Sequence, residues 1–218
     1  MRKLLEQQVE PAYAVKIREL VPTRMEILGV RVPAIRALVR PFLAAHPEID
    51  AGVACDFFDL CCKRPCREEL LFAQGILERF RRKLDPAMWS RVDAWIDAID
   101  NWEVCDQLSK NIAAELVTRT PALARDLREW ARSDNPWRRR FALAASTALN
   151  QGGRSDVRLA LDICEPLMRE TEPIVQKAVG WALREAARKD AKAVDAFLDA
   201  QRDRALPRIL REARPLKR

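Results

Sequence analysis

An apolar period of three to four residues runs almost unbroken along this chain, and it restricts the possible folds more than any other feature. Leu70-Leu71-x-Ala73-x-x-Ile76-Leu77-x-x-Phe80 and Ile112-Ala113-x-x-Leu116-Val117 place apolar side chains at i, i+3, i+4 and i+7. This is the stripe that a helix lays against a core. No alternating β-branched run bounded by turn residues accompanies it. Only 6 of the 218 residues are Gly, while 13 are Pro, and the prolines act as punctuation. Asp85-Pro86, Thr120-Pro121 and Asn135-Pro136 each set a capping side chain before a Pro at the first helical position, where the missing N–H costs nothing. Gln151-Gly152-Gly153 reads as a helix end in the left-handed region. The expectation is an all-α protein of about ten to twelve helices, most of about 10–18 residues. Starts are expected near residues 3, 33, 47, 66, 86, 102, 121, 136, 154, 173 and 190.

Two helices then recur about every 35–40 residues, the period of helical-hairpin repeats. The period alone is also compatible with a globular bundle. A curved solenoid of such hairpins would offer a concave face to an elongated partner such as duplex DNA.

Composition narrows the partners. Lys plus Arg is 39 and Asp plus Glu is 32, a formal charge of +7. A basic protein suits an acidic partner, most commonly nucleic acid, although Arg-rich composition can also leave the charge diffuse. Hydrophobic residues at 49% and charged residues at 33% exclude disorder, collagen and a membrane protein. The segment Met1–Gln7 lacks the continuous apolar run of a signal peptide, so a cytoplasmic location is expected. The cysteines at 55, 61, 62, 66, 105 and 164 are then expected as reduced thiols. Cys61-Cys62-x3-Cys66 is the only cluster and His46 the only histidine. That pattern does not match a zinc site, and no metal or cofactor is expected. Without a second histidine, a Gly-rich phosphate loop or a Ser-His-Asp set, most familiar enzyme classes are excluded.

Three places could carry chemistry. In Asn101-Trp102-Glu103-Val104-Cys105-Asp106, Asn101 is a candidate N-cap, and Trp102 and Asp106 share a helix face one turn apart. Glu103 adds a second carboxylate where it can alter the charge of Asp106. The bland reading is a core indole with a surface acid. In Asn135-Pro136-Trp137-Arg138-Arg139-Arg140, three arginines repel one another and oppose the helix dipole unless an anion lies nearby. The bland reading has them fanning into solvent. In Ile174-Val175-Gln176-Lys177-Ala178-Val179-Gly180-Trp181-Ala182-Leu183-Arg184-Glu185, a mid-helix Gly180 costs about 1 kcal/mol against Ala. It points to a close approach by a ligand or, more ordinarily, by a second helix.

Together these segments resemble the AlkD-type DNA alkylation repair glycosylases, a family of HEAT-like repeats. The elements are Trp102-x3-Asp106, then Trp137-x-Arg139-Arg140, then Lys177-Ala178-Val179-Gly180-Trp181-Ala182-Leu183-Arg184-Glu185. Leu28-Gly29-Val30-Arg31-Val32-Pro33-x-x-Arg36 resembles the family's N-terminal segment. The resemblance spans residues 15–190. It implies a right-handed α-α superhelix of HEAT-like hairpins, taken as a single domain over residues 1–218. It also implies excision of positively charged N3- and N7-alkylated purines, such as 3-methyladenine and 7-methylguanine, from duplex DNA. Asp106 would be the catalytic carboxylate, with Trp102 and Trp181 as aromatic walls at the lesion. Arg140 would contact DNA, and Arg31, Arg36, Arg138, Arg139, Lys177 and Arg184 are further candidates. The family's N-terminal aromatic is unmatched, since that stretch reads Arg18 to Met25 with Tyr13 the nearest aromatic.

The reaction suits the residues. A cationic purine leaves as a neutral base, so no general acid is required, and a chain with one histidine is not handicapped. Trp102, Asp106, Arg140 and Trp181 are expected to line one groove, with Asp106 partly exposed. The enzyme would be monofunctional, because no lysine stands out as a Schiff-base nucleophile, and it would work as a monomer without a membrane. Two other readings are a non-catalytic HEAT-like protein that binds unusual DNA structures, and a protein–protein scaffold.

Overall fold

The structure, a computed structural model, describes residues 1–213. It falls into two compact units, Met1–Leu108 and Ser109 onward. The first holds α1 (Arg2–Glu6), α2 (Pro11–Leu20), α3 (Val32–Ala45), α4 (Ala51–Lys63), α5 (Arg67–Phe80), α6 (Trp89–Asp97) and α7 (Trp102–Leu108). The second begins with a π-helical turn, Ser109–Ala113, and continues with α8 (Ala114–Arg119), α9 (Ala124–Trp130) and α10 (Pro136–Ala148). It is completed by α11 (Val157–Cys164), α12 (Pro173–Ala187), α13 (Ala191–Ala200) and α14 (Pro207–Ala213). Among the described residues there is no β-strand, only an isolated bridge between Glu26 and Cys66.

Local chemistry sets the boundaries. Asp85 and Asn135 accept hydrogen bonds from the backbone N–H of Ala87 and Trp137 (2.8 and 2.9 Å), as N-caps do. Thr120 makes no such side-chain bond. Asp50 and Asp156 cap α4 and α11 through Val53 and Leu159, which moves these starts to 51 and 157. Pro86 and Pro121 open 3-10 turns rather than α-helices, so α6 and α9 are shorter than the apolar period suggests. The starts of α2 and α14 were not anticipated. Pro11 follows Glu10, which makes no capping bond, and Pro207 follows Leu206.

In the first unit α5 is the central helix and packs against α3, α4 and α7. Its Leu70, Leu71, Phe72, Ala73, Ile76 and Leu77 are buried, which accounts for the apolar stripe. In the second unit α12 packs against α10, α11, α13 and α14. Residues 141–148 of α10 are all buried, and their small Ala, Ser and Thr side chains allow close helix approach. The free thiols are mostly interior, and burial pushes those of Cys61 and Cys66 up to about 12.

Gly180 has a packing role. A Cβ there would lie 2.3 Å from Glu212 Cβ and 2.6 Å from the Glu212 carbonyl carbon, so α14 lies directly on the Gly180 backbone. Helix propensity alone would make Gly180→Ala stabilising by about 1 kcal/mol. The contact with α14 predicts the reverse, a loss of about 1–3 kcal/mol from overpacking. Urea denaturation followed by circular dichroism decides between these signs.

Candidate functional site

In the first unit the candidates Trp102 and Asp106 lie on α7. Asn101 is fully buried, and its Oδ1 accepts the Val104 N–H at 3.0 Å, capping the helix as expected. Capping fixes where α7 starts and therefore which side chains face outward. Val104, Cys105 and Leu108 point into the core. Trp102 is 41% exposed, unusual for the largest apolar side chain. Asp106 lies one turn further on and is partly exposed. The Trp102 indole N–H donates to the Leu20 carbonyl at 3.4 Å, tethering the ring to the end of α2. Leu20 is itself 56% exposed, so the residue of the N-terminal helices beside this indole is aliphatic. Tyr13 packs instead on Ile17, Val21 and Ile27, with the Arg31 guanidinium 4.7 Å from its ring centre.

Beneath α7 is a buried charge network that the sequence reading missed. Arg67 and Glu68 have no exposed surface. Arg67 Nε donates to Glu103 at 2.5 Å, and its Nη1 donates to Glu68 at 2.9 Å and to the Val30 carbonyl at 3.2 Å. Glu68 in turn accepts the backbone N–H groups of Leu28, Gly29 and Val30 at 2.9, 3.0 and 3.3 Å. Burial opposes the Arg67 charge, but the hydrogen bond that Arg67 donates to Glu103 and the fields of Glu103 and Glu68 outweigh it and raise the pKa. Glu103 is thus engaged in an ion pair with Arg67, which it shares with Glu68. The Leu28-Gly29-Val30 segment is a cradle for the Glu68 carboxylate. Gly29 is required there, with φ at +95° and no room for a Cβ against Ala14.

The second unit carries the remaining candidates. Trp181 is partly buried on α12, and the Lys110 ammonium lies 5.1 Å from its ring centre. That distance is within cation–π range. Lys110 belongs to the π-helical turn, a type of distortion often found at functional sites. Lys177 is exposed one turn before Trp181 on α12, and Arg184 follows on the same side, 3.9 Å from Glu212.

The arginines of α10 differ from both sequence readings. Arg139 donates to both oxygens of Glu170 at 2.6 and 3.3 Å, and to the carbonyls of Ser133 and Asp134. The anion that offsets the helix dipole is thus internal. Arg140 is buried and donates to the Ile174 carbonyl at 2.6 Å, joining α10 to the start of α12. Both therefore donate to acceptors within the chain. Arg138 remains partly exposed. Arg31 is paired with Glu10 at 2.9 Å, and Arg36 donates to Gln107 at 3.2 Å. Among the described residues no group of three or more His, Cys, Asp or Glu side chains is placed to hold a metal ion. No described helix is long and apolar enough to cross a membrane.

Removing Arg67 would leave two buried carboxylates without their cation. Arg67→Met is expected to lower unfolding free energy by about 3–5 kcal/mol. Glu103→Gln keeps an acceptor and should cost about 1.5–3 kcal/mol. Chemical denaturation measures both, and unchanged midpoints would mean that the network does not stabilise α7.

Comparison with known proteins agrees with this architecture. A solved structure titled predicted DNA alkylation repair enzyme from Enterococcus faecalis superposes with a TM-score of 0.80, covering 94% of each chain at 18% identity. At that identity the likeness shows the fold, an all-α arrangement of helical repeats. No curated protein matches the chain. The family profile described as DNA alkylation repair enzyme matches residues 1–216, nearly the whole sequence, and the chain belongs to that family.

Proposed function

We propose that this protein is a monofunctional DNA glycosylase that excises positively charged N3- and N7-alkylated purines from duplex DNA. One observation carries the reading furthest: an exposed indole and a partly exposed carboxylate stand one turn apart on a helix that is capped and anchored from beneath. A site of this kind can hold its groups in place while charge develops, because little needs to reorganise during reaction.

Asp106 supplies the negative charge. As the glycosidic bond breaks, the purine leaves neutral and the sugar becomes cationic. A carboxylate near the anomeric carbon stabilises that cation and orients the attacking water. At about 4 Å and an effective dielectric of about 20, one such charge pair is worth about 4 kcal/mol. That corresponds to roughly a thousandfold in rate. Trp102 presents an aromatic face to the cationic nucleotide, worth about 0.5–2 kcal/mol. The same role for Trp181 is supported by the ammonium already lying against its ring. Lys177 and Arg184, on the same helix as Trp181, and Arg36, bonded to the neighbour of Asp106, are the basic residues best suited to phosphates.

The test is single-turnover base release on one duplex. Asp106→Asn is nearly isosteric and should retain the fold and most DNA affinity. It loses only the charge that matters in the transition state. Release of 7-methylguanine should fall by about 10²- to 10³-fold. The wild type should not release uracil or hypoxanthine, because no acid is placed to protonate a neutral leaving base. Equal rates for wild type and variant, or efficient uracil release, would refute the mechanism.

A further inference from the structure

The first unit has a concentration of positive charge that begins at Arg36 of the N-terminal motif and extends beyond it to Arg40, Arg79 and Arg81. Arg36 and Arg40 of α3, and Arg79 and Arg81 at the end of α5, line a single depression together with Gly75 and Glu78. Four guanidinium groups there face one carboxylate. Arg81 serves Glu78, donating to its carbonyl at 3.4 Å with its carboxylate at 3.6 Å. Arg36 donates to the neutral amide of Gln107. Arg40 and Arg79 are exposed and form no hydrogen bond or ion pair among the described residues.

The helix dipole explains only part of this. Arg79 lies in the last turn of α5 and Arg81 at its C-cap, where the carbonyl ends favour cations. Arg36 and Arg40 precede the last turn of α3, which has no basic residue. As like charges at i and i+4 they repel each other by a few tenths of a kcal/mol. Two helices therefore bring Arg40 and Arg79, which have no anionic partner among the described residues, into one concavity at a cost. An anion recovers that cost, and Arg forks fit phosphodiester oxygens well. The location is informative too, since Arg36 links the depression directly to Gln107, the residue after Asp106 on α7.

We propose that the Arg36–Arg40–Arg79–Arg81 depression binds a backbone phosphate of the DNA duplex flanking the lesion. This inference rests on the duplex-DNA reading above but not on glycosylase chemistry. It assigns Arg40 and Arg79 to DNA binding while leaving the reacting atoms to other residues.

The experiment measures binding of unmodified duplex DNA by fluorescence anisotropy between about 50 and 200 mM salt. Arg40→Gln/Arg79→Gln should reduce the slope of log affinity against log salt by about one to two. Lys192→Gln/Arg202→Gln removes the same charge from the second unit and should leave the slope near wild type. Arg40→Lys/Arg79→Lys should restore most of it. Single-turnover release of 7-methylguanine, measured with the wild type and the Lys192→Gln/Arg202→Gln control on the same duplex, should be alike in the two. An unaltered slope in the Gln pair, or an equal fall in the second-unit control, would overturn the inference. If base is released normally but the slope is unaltered, the phosphate site fails and the glycosylase reading stands. If no base is released but the slope pattern holds, the reverse is true.

Discussion

Arg67 carries its charge with no exposed surface, so the surrounding protein has to provide the anions. It does so from two directions, Glu68 beside it on α5 and Glu103 on α7. An isolated charge at this depth would cost several kcal/mol. Paired as it is, the guanidinium becomes a fixed point joining three parts of the first unit. The loop at residues 28–30 is held through Glu68, α5 provides the base, and α7 is held through Glu103. An apolar contact could supply similar stability, but its direction would be less well defined. A charge-assisted hydrogen bond of 2.5 Å to Glu103 sets the rotation of α7 about its own axis. That rotation decides whether Trp102 and Asp106 face solvent or core.

The second unit uses the same device at a different place. Glu170 accepts from Arg139 and also from the backbone N–H groups of Thr171 and Glu172, just before α12 begins. Arg140 donates to the Ile174 carbonyl in the first turn of α12. Charged side chains of α10 thus orient the helix that carries Lys177, Trp181 and Arg184. In both units an Arg–Glu pair helps to position a helix that bears candidate residues, Arg67–Glu103 at α7 and Arg139–Glu170 just before α12. The motif residues accordingly divide into those that face outward and those that hold the helices.

The fold class was readable because the apolar period records burial directly, as α5 and α12 show. Asn101 as a cap and the Trp102–Asp106 face followed from local spacing, which depends on residues only a few positions apart. The failures have a common physical cause, since they depend on contacts distant in sequence. Arg139 and Arg140 looked like surface charge because their acceptors, Glu170 and the Ile174 carbonyl, lie more than thirty residues away. Arg67 and Glu68 resembled an ordinary charged first turn, with no local sign that they would be buried. Gly180 announced a close approach, but the sequence could not say that Glu212 supplied it. The convergence of Arg79 and Arg81 with Arg36 and Arg40 depends on how α3 packs against α5.

The central claim is that Asp106 acts by stabilising positive charge on the sugar. It is tested most directly by comparing affinity for two duplexes, one carrying a cationic pyrrolidine abasic analogue and the other the neutral tetrahydrofuran form. The cationic ring imitates the charge that develops in the transition state, which an enzyme should bind more tightly than the ground state. The wild type should prefer the cationic duplex by about two orders of magnitude, and Asp106→Asn should bind both nearly alike. Equal affinity of the wild type for the two duplexes, or a cationic preference that survives the substitution, would contradict the account.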